Sequence, residues 1–550
     1  MIIGNFAFSQ NAEQILKERD EVYFSFKLEK GTDYKVQLKS IIRIISIDNV
    51  KNNMVFAYAN ANEYEKFTQL GYEIQVLTAP SLLLSREILD AKGKLSDWDF
   101  YPTYQQYLGI MNQFAADYPD LCEVVNIGES VNGRKLRVLH IGDSLGIEQD
   151  EPEVFFTSSM HGDEITGYVL MLRLAEYLLE NYGTDDRITN MVNSIDIWIN
   201  PSANPDGTYA GGDFTVSGAT RGNANLINLN RNYPDPQWGP HPDGNSYEPE
   251  TMAFMEFAEE HHFALSVNIH GGAEVANYPW DTWSWLCADT DWWEHVCRQY
   301  ADTCHINSPN GYFVDLDNGV TNGYAWYPVA GGRQDYMNYY LQCREFTLEI
   351  SGIKLPPPEQ LPDFWEYNYR SFLNYLEQSL YGLRGLVTDE VTGDALHAEI
   401  YIEDYDEDSS QVFSYPPVGD YHRFLSTGTY DVTFQAEGYY PQVIENVSVT
   451  NDNTTFLNVQ LIPIIDGLDE EGQLAEQTLV YPNPAKDMAT ILLPELAEEI
   501  TLSNFNGQEV FKANPRSKKI SLSVGDYPKG VYLLNIRFEG GMVNKKIVIE

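Results

Sequence analysis

Cysteine is scarce in this chain. Cys122, Cys287, Cys297, Cys304 and Cys343 are too few for a disulfide scaffold, and no CxxC pair marks a redox or structural zinc motif. With five thiols at least one is unpaired within the chain. Cys287, Cys297 and Cys304 lie close enough to permit one bridge, which spacing alone does not assign. Long apolar runs are missing too: none reaches the roughly 18 residues of a membrane span, so no spanning helix is expected. Basic residues are few, 35 Lys and Arg against 81 Asp and Glu, for a formal charge of −46. Such a surface repels phosphate backbones and acidic membranes, which argues against nucleic acid as a partner and favours cationic ligands. It equally serves to keep an extracellular protein in solution.

What is present is apolar and aromatic. The composition is 43% hydrophobic and 13% aromatic, enough to build large cores, and 550 residues imply about three to five domains. The opening "MIIGNFAFSQNAEQ" is like the tail of a secretory signal but has no positive n-region, and an ordinary N-terminal strand is the alternative. Residues 1–97 alternate apolar and polar ("YFSFKLEK", "MVFAYANA", "YEIQVLTA") around a helix at "NEYEKFTQLG", the pattern of a small α+β module. The module ends in the polar stretch "DAKGKLSDWD", read as a linker. Residues 98–380 alternate strands ("LRVLHIG", "EVFFTSS", "IDIWINP", "FALSVNIHG") with amphipathic helices. This is the signature of an α/β fold: a mixed sheet covered on both faces, with ligand sites at the carboxyl ends of its strands. Residues 381–463 hold short strands punctuated by Gly and Asp, a β-sandwich pattern. Residues 464–477, "IIDGLDEEGQLAEQ", read as an acidic linker, and residues 478–550 again carry only strand periodicity, a second β-sandwich module.

The stretch "SSMHGDEITGY" comes after a buried strand and sets His161 three residues before Glu164. If the chain turns helically there the two side chains share a side, and their N and O donors suit zinc. The spacing by itself equally fits a polar loop at the mouth of a helix. A third ligand is needed. His270 in "SVNIHGGAEVANYPWD" ends an apolar strand and precedes two glycines that permit close approach. A His/Glu/His set leaves a fourth position open, which distinguishes a catalytic zinc from a structural one.

Taken in order, "MHGDE", "NPDG", "TRGNANLINLNRNYPD", "NIHGGAEVANYPWD" and "GVTNGYAWYPVAGGRQDYMNYYLQCREFTLEIS" resemble the zinc metallocarboxypeptidases, in particular the subgroup of carboxypeptidases D, N and M. The resemblance implies one zinc per catalytic domain, with His161, Glu164 and His270 as ligands, and Glu349 as the base that takes a proton from the attacking water and returns one to the leaving amine. It implies that Arg221 stabilises the oxyanion, that Asn230 and Arg231 clamp the substrate's terminal carboxylate, and that Tyr327 is the family's mobile tyrosine. Asn228 stands where the family often has an aspartate; its amide oxygen can still accept an imidazole N–H. Asp281 and Gln334 fall where basic-specific relatives place their side-chain pocket, so C-terminal Lys or Arg is the expected preference. Arg333 would oppose this. On an extended segment adjacent residues face opposite ways, so it is expected to face outward.

The flanks carry resemblances of their own. The segment from "GLVTDEVTGDALHAEIYIED" to "GTYDVTFQAEGYYP" is similar to the transthyretin-like β-sandwich of this subgroup. "LVYPNPAKD" through "GVYLLNIRFEGGMVNKKIVIE" is similar to the C-terminal sorting domain of bacterial type IX secretion. The implied partners are peptide or protein C-termini and a secretion machinery, and the implied location is outside the cell or on its surface. Residues 1–97 are either an inhibitory prosegment or a permanent accessory domain. Two other functions remain on the same scaffold: an amidohydrolase acting on acylated amino acids or cell-wall peptides, and a binding protein without activity. The "NRN" clamp with Tyr327 speaks against the first, and retention of Glu349 with all three ligands against the second.

Overall fold

The computed structural model describes residues 12–29, 33–90, 93, 95–464, 470–539 and 541–550. Most of the signal-like opening falls outside them. The chain forms two compact units. One runs to Thr388 and adds Ala395–Phe434 and Val443–Val459; the other holds Asp389–Asp394, Gln435–Gln442 and Gln460–Glu550.

The first unit begins with a four-stranded antiparallel sheet of β1 (Glu21–Lys27), β2 (Ser46–Lys51), β3 (Met54–Asn60) and β4 (Ile74–Leu77), in the order β2-β3-β1-β4. A helix, Ala61–Thr68, covers it. Its start is fixed by a capping box: Asn60 accepts from the Glu63 backbone N–H and Glu63 accepts from that of Asn60, each at 3.0 Å. Phe24, Phe26 and Phe67 are buried together, each contributing roughly 1.5–3 kcal/mol by leaving water. The register of β2 against β3 slips between Ile47 and Asn49, so Asp48 is the extra residue of a bulge, a distortion that re-aims side chains. The expected linker at the end of this module is tied down: Trp98 is 1% exposed and donates to Glu176 at 2.5 Å.

The central sheet has eight strands: β5 (Cys122–Glu129), β6 (Lys135–Ile141), β7 (Glu153–Ser158), β8 (Asp196–Asn200), β9 (Leu265–His270), β10 (Glu274–Tyr278), β11 (Val320–Asn322) and β12 (Arg344–Ile350). Their order is β11-β10-β12-β9-β7-β8-β6-β5, and the four in the middle, β12, β9, β7 and β8, are parallel. Strands buried on both faces carry apolar residues at successive positions, as Val154, Phe155 and Phe156 do in β7. The helix Thr166–Asn181 behind β7 is apolar almost all round because it too is enclosed. This is the mixed, helix-covered sheet that the alternation predicts. The five cysteines are all buried and unbridged, so the bridge permitted by spacing among Cys287, Cys297 and Cys304 does not form.

Residues 382–461 contain eight short strands in two sheets. The acidic linker is corrected in part: its described residues Glu470–Gln477 are a helix, whose Leu474 and Ala475 pack on the last module because an apolar pair there has somewhere to go. That module, seven strands from Leu479 to Ile549, has a core drawn from its own residues, among them Ile500, Leu502, Leu534 and Ile536. A chain ending at Pro463 is therefore expected to unfold cooperatively with a midpoint within about 3 °C of the full chain's catalytic-domain transition. Calorimetry checks this, and loss of the cooperative transition would show that residues 478–550 hold up the rest.

Candidate metal and substrate site

The parallel register brings the distant motifs together. Glu349 pairs with His270 across β12 and β9, so both side chains leave the same face at the carboxyl edge of the sheet. His161 lies three residues beyond the end of β7, in the neighbouring loop. That loop lies against "NPDG": a Cβ on Gly162 would stand 2.3 Å from the backbone of Gly207, so no side chain fits at the contact.

Three donors converge. Oε2 of Glu164 lies 3.0 Å from His161 Nδ1 and 2.8 Å from His270 Nδ1, and the two imidazole nitrogens are 3.1 Å apart. His161 Nε2 donates to Asn228 Oδ1 at 3.0 Å, which leaves its Nδ1 as a lone pair turned toward the other donors. The amide at Asn228 thus does the orienting expected of it. Burial and the nearby Arg221 hold His161 neutral, and burial does the same for His270. Burial alone would raise Glu164, but the Lys354 and Arg221 cations outweigh it and hold the carboxylate ionised. Two imidazoles held neutral and a carboxylate, with their nitrogen and oxygen atoms within 3.1 Å of one another, are the donor chemistry of zinc.

The cavity beside them, about 30 Å³, is lined by Arg221, Asn230, Arg231, Asp281, Tyr327 and Glu349 as well. Glu349 is raised well above the ordinary carboxyl range by burial and by Glu164, and its Oε2 has no hydrogen-bond partner. Tyr327 is pushed up to about 12 by burial, partly offset by Arg231 and Arg221. Asp281 is pushed up to about 6 by burial and accepts from Asn277 at 3.3 Å. A Cβ on Gly323 would fall 1.7 Å from Asp281 Oδ1, so glycine is required there. Gln334 stands behind the wall: its Oε1 accepts from Thr347 N at 2.7 Å, and Thr347 lines the cavity.

Arg333 corrects the expectation of an extended segment. Arg333–Tyr340 is a helix, and Arg333 faces the core rather than solvent. It pairs with Glu345 at 2.9 Å and lies against Phe155, so its charge is neutralised away from the cavity.

Several groups at the site carry no motif. Lys354 Nζ lies 2.9 Å from Glu164 Oε1 and 2.6 Å from Asp48. Asp335 accepts from the backbone N–H of Asp281 and Thr282 and so fixes that loop. The bulge on β2 reaches the arginines: Arg221 donates to Ser46 Oγ at 2.9 Å, Asp48 Oδ1 at 3.0 Å and the Ile47 carbonyl at 3.3 Å, and Arg231 to the Ile47 carbonyl at 3.4 Å. Nothing in the local pattern of "SIDNVK" marks it; only the fold brings it there.

Comparison with known proteins gives the family and the fold. A family profile described as zinc carboxypeptidase matches residues 107–371. The mouse carboxypeptidase N catalytic chain is 35% identical over 381 residues, 62% of this chain and 82% of that protein. The chain belongs to the zinc carboxypeptidase family. Human carboxypeptidase D is also 35% identical, over 415 residues that are 72% of this chain and 29% of that protein, so this zinc carboxypeptidase spans under a third of that relative's length. A carboxypeptidase A from Helicoverpa armigera, at 19% identity and a TM-score of 0.51 over 65% of this chain and 97% of that one, shares the fold. Residues 382–462 match a carboxypeptidase regulatory-like domain and residues 479–550 a secretion system C-terminal sorting domain. Among the described residues no helix is long and apolar enough to cross a membrane.

Lys354 is one of two cations that balance the carboxylates here. Lys354→Met should cost about 3–5 kcal/mol, the usual result of breaking a buried pair from one side. Urea unfolding measures it; a loss below about 1 kcal/mol would mean that Arg221 alone suffices.

Proposed function

We propose that this protein is a secreted zinc metallocarboxypeptidase that removes C-terminal residues, Lys and Arg foremost, and that its N-terminal module masks the site. The observation that carries the reading is the convergence of His161, Glu164 and His270 with Arg221, Asn230, Arg231 and Glu349 around one cavity. His161, Glu164 and His270 would hold the zinc, which when bound supplies a Lewis acid and makes water acidic enough to react near neutral pH. Arg231 and Asn230 take the substrate's terminal carboxylate; a fork of N–H donors fits it and makes the enzyme an exopeptidase. Arg221 donates to the oxygen on which negative charge develops, and Tyr327 closes over the bound residue. Glu349 takes the proton of the attacking water and delivers it to the leaving amine. Asp281 supplies the anion for a basic side chain, with Gln334 holding the wall at Thr347 in place. The sorting domain at residues 479–550 supports export by a bacterial type IX system, to the medium or the cell surface.

Matched peptides ending in Arg, Lys or Phe, with free or amidated C-termini, test this. Free Arg and Lys peptides should be cut best, amidated ones hardly at all, and a chelator should stop the reaction. Glu349→Gln should keep zinc and lose about 10²- to 10⁴-fold in kcat. Phe cut as well as Arg would remove the basic preference, and cleavage of amidated peptides would remove the exopeptidase reading in favour of an amidohydrolase.

Masking is supported by the contacts of Ser46, Ile47 and Asp48, which take up guanidinium donors that a substrate carboxylate and oxyanion need. Asp48→Ala, or a cut near residue 97 that releases the module, should raise kcat/KM on a free Arg peptide by about tenfold or more. Equal rates for intact, cut and substituted protein would make residues 1–97 a permanent accessory domain.

A further inference from the structure

A second cavity opens at the other end of the same strands. It is lined by Glu153 at the start of β7, Asp196 at the start of β8, Ala264 just before β9 and Gln342 just before β12. The catalytic groups sit at the carboxyl ends, so six strand residues, about 20 Å, separate the two sites. The cavity holds about 480 Å³, a size that suits a small-molecule ligand. Its opposite wall comes from residues 412–422 of the adjoining β-sandwich, in the same compact unit.

The lining is dominated by acidic groups. Eight carboxylates and four imidazoles line it, and among the described residues no Lys or Arg does. A neighbouring cation, Arg384, is held by the Asp150 carboxylate at 3.0 Å and stays outside the lining. Some of the acids are used internally: His140 lies between Glu123 and Asp196, and Glu153 takes His261 Nδ1 at 2.6 Å. Glu148 and Glu151 also line the cavity, and Glu151 is pushed up to about 7 by burial and by Asp143 and Asp196, which Arg384 offsets only in part. The flat walls are aromatic: His140 stacks on Trp198 at 3.8 Å and His262 on Tyr415 at 3.4 Å.

His422 gives the independent observation. Its Nε2 faces Asp420 Oδ2 at 3.0 Å; a carboxylate only accepts, so Nε2 carries the hydrogen. Burial keeps the ring neutral, which makes Nδ1 a bare acceptor. The side chain is 8% exposed and Nδ1 has no hydrogen-bond partner. Nδ1 is a buried acceptor left without a donor beside a wall of other acceptors.

We propose that this cavity is a second binding site, for a small organic cation carrying guanidinium or ammonium groups. Such a ligand brings N–H donors to the lining carboxylates, in a cavity that among the described residues has no Lys or Arg of its own. The assignment does not rest on the proposed hydrolysis.

Agmatine and spermidine are suitable probes, since neither has a carboxylate for the arginine clamp. Titration calorimetry on the full chain should show binding at one site, weakened by added salt. Glu151→Gln should weaken it about tenfold, as should Glu148→Gln at the exposed rim, where folding is not at risk. Neither change should alter peptide hydrolysis, and Glu349→Gln should leave agmatine binding intact. The proposal is overturned by absence of binding of both probes at millimolar concentration, or by binding that Glu349→Gln removes and the cleft variants spare. Binding of Ni²⁺ or Zn²⁺ at the cleft with no response to either amine would overturn it too, since the carboxylates and His422 would then be metal ligands.

Discussion

Two buried cations, Arg221 and Lys354, set the terms for everything around the catalytic cavity. Both are essentially enclosed, and burial alone would drive their charge out; Glu164, Asp48 and Asp163 keep both ionised. The dependence is mutual. Glu164 stays a carboxylate only because the two cations outweigh its own desolvation, and an ionised carboxylate is the form that can ligate a metal. The cluster therefore joins Glu164, Arg221 and Lys354 with Asp48 of the N-terminal module in a single charge balance. Asp48 is part of that balance from the far side of the chain, and its position on a bulge is what lets a strand residue reach it.

The scaffold solves a separate problem, that of bringing residues 161, 270 and 349 within one hydrogen-bond length or a few. Parallel strands do this because their carboxyl ends lie at one edge, and the register of β9 with β12 places His270 beside Glu349. Loops then finish the site. The close backbone approach of Gly162 to Gly207, and of Gly323 to Asp281, shows that some glycines in the motifs are steric requirements; a methyl group at either would push a functional residue out of place.

Much of this is legible in the sequence, and the reason differs by layer. The alternation between Phe100 and Leu380 is a physical pattern: buried parallel strands are runs of apolar residues and helices repeat at 3.6, so β7, β9 and the helix Thr166–Asn181 declare themselves. His161, Glu164 and His270 are legible because their chemistry is local to short motifs. Lys354, Asp335 and Ser46–Asp48 are not, since each acts through partners far along the chain and none sits in a pattern that spacing can show. Arg333 misleads for a related reason. Its residue type announces charge, but its partner Glu345 is on β12, and only the helix that begins at Arg333 turns it toward that strand.

The net charge of −46 also acquires a location. At the carboxyl end of the sheet, Glu164 and Asp48 are each paired with both Arg221 and Lys354, and the charge states of Glu164, Arg221 and Lys354 are set by pairing as much as by burial. At the amino end the lining acids meet imidazoles, with Arg384 behind the wall on Asp150. Low-dielectric walls concentrate such a field instead of screening it, so the same acidic excess that is bland over the open surface becomes a directed attraction inside a cavity. The carboxyl end holds Arg221 and Arg231 in its lining, whereas the amino end has no Lys or Arg among the described residues that line it. The polarity of the parallel strands thus separates two binding chemistries within one sheet.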